Sequence, residues 1–209
     1  MEMRGVPGAM WTLFARSFRQ NLTTVLGIDA PTAKAVTKAA KRKYREILAD
    51  LPVFERGDRF LTNEVNCAML AAFILCMPTR PTVEALTDYY ARAMMTPPMR
   101  LFCRLSAKNK FTASDIEAMQ ETAAFRAADR NPYSWNMDFL PYPDGSGYEA
   151  RFTKCGICAL MQKLGLYDLT PAMCRLDYTM SETGGKTHFV REHTLASGGP
   201  YCDCGYKKK

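Results

Sequence analysis

Five of the eight cysteines and both histidines fall between residues 151 and 206, about a quarter of the chain. Cys155-Gly-Ile-Cys158 comes first, then Cys174-Arg-Leu-Asp177, then Arg191-Glu-His193-Thr194. Gly198-Gly199-Pro-Tyr-Cys202-Asp203-Cys204 closes the series. Thiols can act as nucleophiles, redox pairs or metal ligands. A carboxylate can move protons, and a guanidinium can grip both oxygens of an acid. The first 150 residues hold no comparable cluster.

Each group also has a plain structural reading. Cys155 and Cys158 sit where a helix should begin, and the unsatisfied N–H groups of a helix start favour a thiolate; buried cysteine is nevertheless common. Cys202 and Cys204 supply a second thiol pair, so a structural zinc site at Cys155, Cys158, Cys202 and Cys204 can be drawn. The C-x-C spacing speaks against it, as does a core large enough to stand without a metal. No cofactor is therefore expected. In a strand, Cys202 and Cys204 share one face and Asp203 takes the other. Cys174 and Asp177 are three apart on an expected helix and share a side. Arg191 and His193 alternate with Val190 and Glu192 as if on a strand. Gly198 and Gly199 could present amides to an anion, or form an ordinary turn.

The elements that must position these groups change character along the chain. Residues 9–26 carry Trp11, Leu13, Phe14, Phe18, Leu22, Val25 and Leu26 at helical spacing, ending at Gly27. Asp29 caps a second helix to about Asp50, with Ala33, Val36, Ala40, Tyr44, Ile47 and Leu48 on its apolar stripe. A third helix starts near Asn63 and runs through the apolar stretch 67–77. A fourth begins at Pro81, until Pro97-Pro98 breaks it, and a fifth runs from Thr112 to about Asp129. From Tyr133 strands are expected at 135–140 and 148–153 around the turn 141–147. Helices at 155–164 and 170–180, a loop at 181–185, and strands at 187–194 and 201–206 follow. The expected fold class is α+β. A helical region, residues 1–130, packs against an antiparallel region, 131–209, whose sheet carries two inserted helices, probably within one unit of packing.

Composition narrows the partners. The formal charge of +7 comes largely from residues 34–45 and the three terminal lysines. Without interleaved aromatics such a run reads as a solvated helix face, so nucleic acid is not the expected partner. Residues 1–26 show no continuous apolar core or cleavage site, and stretch 67–77 is too short to span a bilayer. The expectation is a cytoplasmic protein with free thiols, no membrane partner and a small-molecule substrate, compatible with a homo-oligomer.

The ordered series Cys155/Cys158, Cys174/Asp177/Tyr178, Arg191/Thr194, Gly198/Gly199 and Cys202/Asp203 resembles the L-2-amino-thiazoline-4-carboxylic acid hydrolase family, over about residues 148–206. Cys204 stands where that pattern has an aromatic, and His193 is not part of it. The resemblance implies a hydrolase opening a cyclic amidine-like acid at a C–N or C–S bond, towards carbamoyl-cysteine. It implies catalytic roles for Asp177 and for a thiol of Cys202, Cys155 or Cys158, with water as the competing nucleophile. Arg191, Thr194, Gly198 and Gly199 would bind the substrate carboxylate, in a pocket shared with His193, Asp203 and Cys174. A fainter likeness to small-molecule-binding domains leaves a non-catalytic sensor role open.

Overall fold

The computed structural model describes residues 6–128 and 131–209. The expectation that the fifth helix reaches Asp129 falls outside the described residues. Six helices come first: α1 (Val6–Thr24), α2 (Ala30–Ala49), α3 (Leu61–Cys76), α4 (Val83–Met94), α5 (Pro97–Ala107) and α6 (Ala113–Ala128). Local chemistry sets their ends. The Asp29 carboxylate accepts the Thr32 amide at the start of α2, and Thr82 Oγ1 accepts the Ala85 amide at the start of α4. Gly27 stops the first helical segment with φ +67°, a conformation that costs glycine nothing.

Burial of α2 falls on Ala33, Val36, Ala40, Tyr44, Ile47 and Leu48, the stripe expected from spacing. In α3 the residues from Cys67 to Phe73 are sealed on every side, as suits a helix apolar all round. α2 covers one flank of α3, with α1 and α7 on others. The cations of α2 point outward, and Arg42 and Lys43 share Glu46.

The second part alternates strands and short helices: β1 (Asp138–Pro141), β2 (Gly147–Phe152), α7 (Gly156–Lys163), α8 (Thr170–Cys174), α9 (Leu176–Gly184), β3 (Thr187–Val190) and β4 (Cys202–Lys208). The fold is α+β. The sheet is antiparallel throughout, in the order β1-β2-β4-β3. The inserted helices pack back on the first part, α7 on α3, α8 on α4 and α9 on α5. Leu160, Met161, Leu169, Met173 and Leu176 thereby join the core built by α1–α4. A second cluster, Met137, Ala150, Phe189, Cys202 and Cys204, lies on one face of the sheet with Tyr178 and Met119 against it.

Four expectations about elements need correction. Pro97-Pro98 does end the α4 pattern, but it also opens α5, because a missing N–H costs nothing in a first helical turn. The 170–180 helix is two helices meeting at Arg175. Residues 181–184 continue α9, which stops at Gly185 with φ +75°. Finally, β3 ends at Val190. The amides of Glu192 and His193 go to the Asp203 carboxylate (2.8 and 2.6 Å) instead of a backbone ladder, so Arg191 and His193 lie past the strand.

Candidate functional site

The geometry centres on Arg191, one residue beyond β3 and nearly buried. Its Nη2 donates to Asp177 Oδ2 at 2.5 Å and to Cys204 Sγ at 2.9 Å. Its Nη1 donates to the Cys174 carbonyl at 2.8 Å. The guanidinium lies 4.6 Å from the centre of the Phe189 ring, within cation–π reach. One side chain thus ties the α8–α9 junction to β4. Its Nε is buried without a partner. The arginine side chain is 5% exposed whereas that of Asp177 is 42% exposed, so the pair has one sealed and one open end. Burial alone would push the Arg191 pKa down, but Asp177 and Cys204 outweigh it and hold the group firmly cationic.

The thiols gather around this pair. Burial pushes Cys204 up to about 12, against the pull of Arg191. Burial also raises Cys174, which senses Arg191, Cys155, Asp177 and Cys202. Cys202 is raised by burial, offset in part by the Leu195 amide that donates to its sulfur at 3.2 Å. Cys155 is raised by its hydrogen bond with Cys158 and then by burial. None of these four shifts favours a thiolate. Tyr167 feels Cys158, Cys155, Cys174 and Cys202 together, and its hydroxyl donates to the Leu195 carbonyl at 2.8 Å. The α7 start is held close because Gly156 has no side chain: a Cβ there would collide with the Tyr133 carbonyl and the Trp135 ring.

Some expected site residues do other work. Register pairs Asp203 with Arg151 while Cys202 faces Phe152 and Cys204 faces Ala150, so Asp203 projects from the other face of the sheet and clamps the 192–193 amides. His193 stands edge-on to Tyr201 at 5.3 Å, on the turn that Asp203 holds. The amides of Gly198 and Gly199 are engaged by the carbonyls of Leu195 and Thr194 (3.1 and 2.9 Å), so the anion-binding role expected of them has no free donor. Thr194 Oγ1 accepts the Ser197 amide as a helix cap and keeps its own proton to donate. Among the described residues, no group of three or more His, Cys, Asp or Glu is arranged to hold a metal ion, the four thiols of the zinc reading included. Two shallow grooves of about 700 and 630 Å³ lie elsewhere, beside residues 136–141 and between α1 and α2. Neither touches the thiols.

Sequence reasoning missed Glu64. Its side chain is wholly buried on α3, neither carboxyl oxygen has a hydrogen-bond partner, and burial followed by the Asp58 charge pushes it up to about 8. It acts electrostatically on Cys67 and on Cys155. The one signal was a carboxylate three residues before Cys67, at the head of the most apolar helix. Asp58 nearby is, by contrast, fully paired. Arg126 Nη1 and Ser134 Oγ donate to it at 2.9 and 2.7 Å, and Arg126 Nε donates to the Trp135 carbonyl.

An α+β chain that ties an aspartate, an arginine and a set of protonated thiols into one place has the parts of a proton-transfer site. The family model of L-2-amino-thiazoline-4-carboxylic acid hydrolase matches residues 63–206, from the head of α3 to the end of the sheet. The chain belongs to that family. No curated protein and no solved structure matches it. No helix among the described residues is long and apolar enough to cross a membrane.

Proposed function

We propose that the protein hydrolyses a small cyclic isothiourea acid of the L-2-amino-thiazoline-4-carboxylate type, opening the ring to a carbamoyl-cysteine. The observation that carries this reading is the Asp177–Arg191 pair, sealed at the arginine and open at the carboxylate, inside the segment the family model covers.

Water adds to the ring carbon between nitrogen and sulfur, and Asp177 takes a proton from that water. The carbon–sulfur bond breaks, a thiol protonates the departing sulfur, and the proton on Asp177 restores the thiol through solvent. Protonated thiols suit donation better than attack, and the upward shifts of Cys202, Cys174 and Cys204 support water as nucleophile. Cys202 is the favoured donor. Arg191 orients Asp177 and has Nε left for the substrate carboxylate, with the Thr194 hydroxyl as a second donor.

Ring opening releases a new thiol, so a thiol reagent reports turnover directly. The reading expects thiol release from the thiazoline acid by the native protein, and its loss in Asp177→Asn with an unchanged circular dichroism spectrum. Saturable binding without thiol release would support the non-catalytic sensor role instead.

A further inference from the structure

The hydrolytic scheme leaves Cys155, Cys158 and Glu64 without a task, and they stand together. Cys155 caps α7 and Cys158 lies in its first turn, so both sulfurs face the positive end of an eight-residue helix. The two thiols are within hydrogen-bond reach of each other, and both side chains are partly exposed. Behind them, α3 packs on α7 and presents Glu64 and Cys67, three residues apart on one side of the helix. Glu64 is wholly buried with both oxygens unpartnered, and its charge acts on Cys155. A carboxyl kept in apolar surroundings without a partner costs stability, and such groups concentrate where a proton must be taken up or released.

We propose that Cys155 and Cys158 form a dithiol–disulfide exchange site, separate from the hydrolytic one, in which Glu64 takes the proton of Cys155 as the internal disulfide closes. The substrate class is a small disulfide. Cys155 holds its proton through its bond to Cys158 and its burial, so Cys158 attacks first. The external sulfur–sulfur bond breaks, one thiol departs with a proton, and Cys158 carries the mixed disulfide. Cys155 then passes its proton to Glu64 and attacks the Cys158 sulfur. The Cys155–Cys158 bond forms and the second thiol leaves. Two electrons pass from the protein to the external disulfide, which is reduced to two thiols. Asp58, Cys67 and Cys155 are the titratable groups acting on Glu64, and Asp58 is neutralised by Arg126.

Glutathione disulfide is the probe. Trypsin, cutting after Lys154 and Lys163, puts both cysteines on one peptide, whose mass reports their state. The native protein should yield that peptide two hydrogens lighter, reversibly with dithiothreitol. Cys155→Ser should yield it with one glutathione on Cys158. Glu64→Gln should close the internal bond at least tenfold more slowly, so that the mixed disulfide accumulates. The proposal is overturned if the peptide keeps both thiols while Cys76 reacts, or if Glu64→Gln closes at the native rate. Should Glu64→Gln fail to fold, the native closure rate decides: an inflection near pH 8 supports the proposal, and a profile without one refutes it.

Discussion

The molecule contains two arginine–aspartate pairs that differ in what surrounds them. Arg126–Asp58 joins α6 to the approach of α3, with both side chains fully out of water and Ser134 and the Trp135 carbonyl completing the set. Arg191–Asp177 joins the exit of β3 to α9, its carboxylate 42% exposed and its neighbours thiols. Same ion pair, different surroundings. A sealed pair has no face left for a reactant and serves to lock elements together. A half-open pair holds a carboxylate in fixed geometry while leaving it accessible, which is what proton transfer to a bound molecule requires.

Substitutions should separate the two pairs. Arg126→Met strands Asp58 in the interior beside Glu64, so it should cost about 3–5 kcal/mol of stability, read by denaturant unfolding. Turnover per folded molecule should be little changed. Arg191→Met leaves a carboxylate that water already reaches, so its stability loss should be smaller, while turnover of the thiazoline acid falls on the order of a hundredfold or more. Comparable stability losses in both variants would erase the distinction.

A subtler contrast is the unpaired Glu64. Its folded-state pKa is raised, so the neutral form favours folding: that stability is fully present below about pH 4.5 and is lost as pH rises towards about 8. Glu64→Gln should therefore flatten the fall in melting temperature across that window, and a fall as steep as the native one would refute the assignment. Smaller again, Asp203→Asn should weaken two charge-assisted bonds to the 192–193 amides at about 1–2 kcal/mol, with faster amide exchange confined to that turn.

How legible all this was depended on range. The apolar stripe of α2 was readable to the residue because periodicity is a local signal, and Cys202 and Cys204 share a face opposite Asp203 as strand alternation requires. Helix α5 was missed because two prolines break a helix or start one, and only the Thr96 backbone before them settles which. The early end of β3 depends on a carboxylate eleven residues away, and the engaged amides of Gly198 and Gly199 depend on how residues 195–197 coil. Pairing between distant segments carries no sequence signature of its own. For that reason the polar types near Asp177 could be named, whereas the grip of Arg191 on Cys174 and Cys204 could not. Glu64 stayed hidden for the same reason, since its burial comes from the packing of α3 and α7.

The central claim is that the open carboxylate of the second pair moves a proton for a bound cyclic amidine acid. Its most direct measurement is the rate of thiol release from L-2-amino-thiazoline-4-carboxylate by the native protein and by Asp177→Asn, each shown to be folded. The account predicts release by the native protein and a loss of about a hundredfold or more in the variant. Equal release by both, or none by the native protein despite saturable binding, would contradict it.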